Sequence, residues 1–209
     1  MGGARRRYAS KLCRSDSYDF RYLMAYAVGE VMHLARTVRD IIVIGASRGG
    51  IQTICTLLGG LPRGLKASVL IALHASQQTP RFLTHNLGQC TALRVLYGEE
   101  GQAIERRHVY IAPPDYHLAV VVPGVLRLHP APKARFSRSA ADTLFHSAAA
   151  VYGSRAIAVV LTDSDGDGTE GLLGIRAAGG ICVVQDPDET IAPDGPPNTL
   201  APDRLNFKV

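Results

Sequence analysis

From Asp40 onward, short apolar runs rich in β-branched residues alternate with amphipathic stretches of helical length. A short β-branched run satisfies its backbone N–H and C=O groups by pairing with other strands. A helix-length connection between two such runs has room to cross back over the sheet and leave the strands parallel. The expected class is therefore α/β: a three-layer, doubly wound, mainly parallel sheet of the Rossmann-like kind. The runs Ile41–Ile44, Val69–Leu73, Arg94–Leu96, Val109–Ile111, Ala156–Leu161 and Ile181–Val184 read as strands. Ile51–Leu58, Pro80–Leu87, Ala140–Tyr152 and Gly168–Ala178 read as helices, the first stopped by Gly59-Gly60-Leu61-Pro62 and the last by Gly179-Gly180. His117–Val122 and Val125–Leu128 flank Pro123-Gly124, which predicts a small antiparallel hairpin as an excursion from the α/β rhythm. The tail from Pro187 is rich in Pro, Asp and Gly and reads as loop to the last residue.

Two units follow from this change of pattern. Residues 1–39 form an N-terminal extension, basic at its start, with Leu23, Tyr26, Ala27, Val31 and Leu34 able to line one helical face. Residues 40–209 form the folded domain, and 46% hydrophobic against 20% charged residues over 209 positions suits one ordinary globular unit. The net charge of +5 owes much to Arg5, Arg6, Arg7, Lys11 and Arg14, outside that unit, and aromatic residues make up only 6%, so no nucleic-acid partner is expected. Cys13, Cys55, Cys90 and Cys182 show no metal-ligand or disulfide-framework rhythm, and free thiols in a reducing compartment are the expectation. No apolar run reaches the ~20 residues of a spanning helix, and no leader pattern opens the chain. A cytoplasmic protein without membrane insertion is expected.

Polar residues stand beyond three of the expected strands: Ser47 after Ile44, His74 after Leu73, and Asp167 in the loop after Leu161. In open parallel sheets the crevice beyond the carboxyl ends of the strands is where ligands bind, so residues far apart in sequence converge there. Their chemistry is complementary. A serine hydroxyl becomes a useful nucleophile when an imidazole removes its proton, and a carboxylate holds that imidazole in the right tautomer. Gly45-Ala46-Ser47-Arg48-Gly49-Gly50 suits a tight strand-to-helix turn, whose following helix start offers N–H donors to an oxyanion. Serine at such a turn is equally common as an N-cap, and the local pattern leaves both readings open. The acidic loop Asp163-Ser164-Asp165-Gly166-Asp167-Gly168 also matches the opening of a calcium loop, but Gly174 stands where a bidentate Glu is required.

Together these segments resemble the methylesterase (CheB) catalytic domain family. The resemblance runs from about Asp40 to about Thr199. It is carried by Val43-Ile44-Gly45-Ala46-Ser47 with Gly49-Gly50, Leu73-His74, and Val109 to Leu118. Asp142-Thr143-Leu144-Phe145-His146-Ser147, Val159-Val160-Leu161-Thr162 with Asp167-Gly168, and Ala178-Gly179-Gly180 leading to Gln185-Asp186-Pro187 complete it. The resemblance implies Ser47 as nucleophile, His74 as general base and Asp167 as the residue that orients it. Donors to the oxyanion would come from around Ser164 and from Arg48. It also implies hydrolysis of glutamyl methyl esters on the cytoplasmic helices of chemoreceptors, with glutamine deamidation as a second activity, and no metal or organic cofactor. Departures from the family pattern are Arg48 beside the serine, Asp163 in the acidic loop, Phe136-Ser137-Arg138-Ser139 before a helix, and Gly195-Pro196-Pro197. The resemblance further implies a shortened C-terminus, lacking a final helix and strand, and no receiver domain within residues 1–39. A catalytically inactive interaction module on the same fold is the alternative that these departures suggest. A short-chain dehydrogenase-like nucleotide binder is a lesser one, resting on the glycine turn but lacking any Tyr-x-x-x-Lys pair.

Overall fold

The computed structural model describes residues 38–46, 50–73, 80–131, 140–161, 167–185 and strand residues 207–208. Except for its last two positions, the 1–39 extension expected from sequence lies outside them. The elements follow the expected alternation. In chain order they are β1 (Ile41–Ala46), α1 (Ile51–Gly60), β2 (Ser68–Leu73), α2 (Pro80–Cys90), β3 (Arg94–Tyr97) and β4 (His108–Ile111). The hairpin β5 (Tyr116–Val122) and β6 (Val125–Pro130) comes next, then α3 (Ala140–Tyr152), β7 (Ala156–Leu161), α4 (Thr169–Ala177), β8 (Ile181–Val184) and β9 (Phe207–Lys208).

Among the described residues, one seven-stranded sheet runs β3-β4-β2-β1-β7-β8-β9, with every neighbouring pair parallel. β1 lies at the centre, and its six residues are all buried, as its uninterrupted apolar run requires when both sheet faces are covered. Side chains alternate between the two faces. Ile42, Ile44, Val69, Ile71, Ile157 and Val159 join Ile54, Leu57 and Leu58 of α1 and Leu83 and Leu87 of α2 in one core cluster. Val43, Leu70, Ala72, Ala158 and Val160 join Leu144, Phe145 and Ala148 of α3 and Leu172 and Ile175 of α4 in the other. The result is the three-layer α/β/α arrangement expected from the sequence.

The antiparallel hairpin is present, slightly longer than expected at both ends. Leu118, Val120 and Leu126 bury themselves in the α3-side core. Two hydrogen bonds fasten it to α3: Val120 N–H donates to Ser147 Oγ (3.1 Å) and Gly124 N–H to Tyr152 Oη (3.0 Å). At the opposite end of β1 from the serine turn, Arg155 grips Asp40 through two hydrogen bonds, one of them Nε to Oδ1 at 2.9 Å. That pair ties the start of β1 to the start of β7.

Two expectations need correction. The tail does not remain loop to its end, because Phe207-Lys208 adds a strand alongside β8, with Val183 opposite Phe207. Backbone pairing offered by the free edge of β8 recruits a segment whose own pattern is too short to read as a strand. Cys55 and Cys90 are not free thiols either. Helices α1 and α2 lie side by side on one sheet face, their Cα atoms at these positions are 5.4 Å apart, and the two sulfurs are joined as a disulfide. Cys182 is in no disulfide and is buried, with burial as the main cause that pushes its thiol up to about 11.

Candidate active site

The three strands that carry the candidate catalytic residues are neighbours. β1 sits between β2 and β7, and the register pairs Ala46, the last residue of β1, with Leu73 on one side and Leu161 on the other. All three strands therefore finish level at one edge of the sheet. The next residues in sequence are Ser47, His74 and Thr162. Ser47, Arg48, His74 and Ser164 lie outside the described residues, as do Asp163 and Asp165.

Asp167 is described, half-buried in the turn that leads into α4. Its Oδ1 accepts hydrogen bonds from the backbone N–H groups of Ala141 (3.0 Å) and Asp142 (3.3 Å). Both donors belong to the first turn of α3, where backbone N–H groups have no partner within the helix. The carboxylate thus caps a helix that begins 27 residues earlier in the chain, and the positive end of that helix meets its charge. Sequence reasoning placed Asp167 at the site but missed this anchorage.

Gly168, the next residue, has φ +98°, a conformation in which L side chains are strained. A Cβ there would also stand 3.1–3.3 Å from Phe145, Ala141 and Val160. On β1, a Cβ at Gly45 would stand 2.7 Å from the Cβ of Ala141. The first turns of α3 therefore press against both the strand that leads to Ser47 and the turn that holds Asp167. Glycine is what permits that approach on either side. At α1, the cap position is taken by Gly50 with no side-chain hydrogen bond.

No cluster of three or more His, Cys, Asp or Glu side chains suited to a metal ion occurs among the described residues. The calcium reading meets a further difficulty, since Asp167 Oδ1 already faces two amide hydrogens. No helix among the described residues is long and apolar enough to cross a membrane.

A family model described as CheB methylesterase matches residues 42–206, which takes in the sheet from Ile42 of β1 through β8, the serine turn and the Asp167 turn. The chain belongs to the CheB methylesterase family. Curated relatives include a protein-glutamate methylesterase/protein-glutamine glutaminase of Paramagnetospirillum magneticum, 36% identical over 151 residues, covering 70% of this chain and 40% of that protein. One of the same name from Pyrococcus abyssi is 35% identical over 156 residues, covering 73% and 42% respectively. The chain thus spans about two fifths of the length of these two relatives. A Leptospira interrogans relative is 34% identical over 148 residues, and there the match covers 77% of the relative. Among solved structures, the Thermotoga maritima CheB methylesterase catalytic domain superposes with a TM-score of 0.72 at 27% identity, over 82% of this chain and 93% of that domain. Family membership sets aside the dehydrogenase-like reading.

Proposed function

We propose that this chain is a serine hydrolase that removes methyl esters from glutamate side chains of chemoreceptors and deamidates receptor glutamines in the same cleft. The observation that carries the reading is the level finish of β1, β2 and β7, which lead in sequence to Ser47, His74 and the Asp167 loop. Family membership and the names of the relatives support the substrate class. The protein works in the cytoplasm on the receptors' cytoplasmic helices.

In this mechanism His74 removes the proton of Ser47 as Oγ attacks the ester carbonyl, and Asp167 holds the imidazole and stabilises its charged form. The oxyanion is met by backbone N–H groups around Ser164 and by Arg48. As the tetrahedral intermediate collapses, the imidazolium returns the proton to the departing methoxide and methanol leaves. Water then attacks the acyl-enzyme, again deprotonated by His74, and the glutamate carboxylate is released. With a glutamine side chain the leaving group is ammonia and every other step is the same.

A fluorophosphonate probe and a methanol-release assay on methylated receptor fragment test this. Covalent labelling of wild-type protein that disappears in Ser47→Ala, together with loss of methanol release in Ser47→Ala and His74→Ala, is the expected result. Well-folded wild-type protein that takes up no probe and releases no methanol would instead identify an inactive interaction module.

A further inference from the structure

The anchorage of Asp167 has a return half. Asp142, the third residue of α3, accepts a hydrogen bond on its Oδ1 from the backbone N–H of Gly171 at 2.7 Å. Gly171 lies in the first turn of α4, four residues beyond Asp167. Each helix thus starts with backbone N–H groups that lack an intrahelical partner, and each is met by a carboxylate from the segment that opens the other. Asp167 caps α3 and Asp142 caps α4.

The two contacts control different coordinates of one side chain. The donors Ala141 and Asp142 fix the direction of the Asp167 carboxylate through Oδ1. The Asp142 to Gly171 bond fixes the backbone that carries Asp167, because Gly168 and the first turn of α4 stand between them. Close packing leaves that backbone little alternative, since a Cβ at Gly171 would lie 2.5 Å from the Cβ of Phe145. A bond of 2.7 Å to an acidic oxygen at a helix start is of the strong, charge-assisted class.

We propose that Asp142 is a positioning residue for the hydrolytic reaction: through Gly171 it sets the placement of Asp167, and through Asp167 the orientation of His74. This inference rests on the catalytic assignment proposed above. The effect of Asp142 reaches the reaction through Gly171 and the α4 turn.

The test measures methanol release and fluorophosphonate labelling against pH for Asp142→Ala, Asp142→Asn and Asp167→Ala, each with a thermal melt. Misplacing a group that orients the base costs about ten- to a hundredfold in rate. Asp142→Ala is expected to lose kcat on that scale with KM little changed. The acid limb of its pH profile should move to lower pH, because a displaced Asp167 stabilises the His74 imidazolium less. Asp142→Asn keeps an acceptor oxygen at the same position and should restore most of kcat and the position of the limb. A merely structural role would lower the melting temperature and leave the limb where it was, which would overturn the proposal, as would equal impairment of the Asn and Ala variants. If Asp142→Ala does not fold, Asp142→Glu decides, since it keeps the charge and moves the oxygen by one methylene; wild-type kcat there also overturns it. Asp167→Ala separates the two levels. Wild-type rates in that variant would remove the catalytic assignment itself and the proposal with it, whereas collapse of Asp167→Ala beside an unaffected Asp142→Ala would remove the positioning role alone.

Discussion

Reducing the Cys55–Cys90 bond should destabilise the domain by an amount that the loop it closes sets. The two cysteines are 35 residues apart, and the loop takes in the end of α1, all of β2, residues 74–79 and α2. In the chain-entropy description, a cross-link closing a loop of that size removes about 13 cal/mol/K from the unfolded ensemble, or about 4 kcal/mol at room temperature. For a domain of this size each kcal/mol moves the melting temperature by about 2–4 °C, so reduction should lower it by about 8–16 °C. Far-UV circular dichroism melts of oxidised and reduced protein, with peptide mapping under non-reducing conditions to score the bond, measure this directly. The Cys55→Ser/Cys90→Ser protein is the control and should melt at one temperature with or without reductant. A map in which the peptides carrying Cys55 and Cys90 never appear linked would refute the pairing. A linked protein whose melting temperature falls by less than about 2 °C on reduction would refute the loop-closure reasoning, because it would confine the effect to under about 1 kcal/mol.

Gly45→Ala should cost about 1–3 kcal/mol by overpacking, read as a lower urea midpoint, because the new methyl would sit 2.7 Å from the Cβ of Ala141. Its methanol release should fall as well, since the displaced strand leads to Ser47. Cys182 should resist thiol reagents at pH 8 in the native protein and react on unfolding, as its thiol is buried and pushed up to about 11. The sign for stability follows from that shift. The unfolded thiol ionises first, near 9, so the contribution is fully present below that pH and is lost as pH rises through about 11, which urea titrations across this window would detect.

The central sheet was legible because each strand carries its own signal. Ile41–Ala46 and Ala156–Leu161 are uninterrupted apolar runs, and burial on both faces is the only economical fate for such runs between helix-length connections. The level finish of β1, β2 and β7 was legible too, since parallel topology by itself brings their carboxyl ends to one edge. What escaped depends on contacts between segments. Cys55 and Cys90 have no informative spacing, and they meet because α1 and α2 pack on the same face. Phe207-Lys208 becomes a strand through the edge of β8 rather than through its own composition. The acceptor that caps α3 arrives from Asp167, where sequence-local rules look instead to the residues just before Ala140.

These tertiary contacts give α3 a part that its sequence does not announce. Its first turn holds Asp167 through two amides, returns a carboxylate to the start of α4 through Asp142, and lays Ala141 against Gly45 two residues before Ser47. One helical turn therefore gauges the separation between the end of β1 and the turn after β7. The register of β1 with β2 sets the other separation, toward His74, through backbone hydrogen bonds alone. The two spacings thus rest on different kinds of interaction. Side-chain substitutions can disturb the spacing between the end of β1 and the Asp167 turn, whereas the spacing between the ends of β1 and β2 answers to backbone register, which no single side chain in β1 or β2 determines.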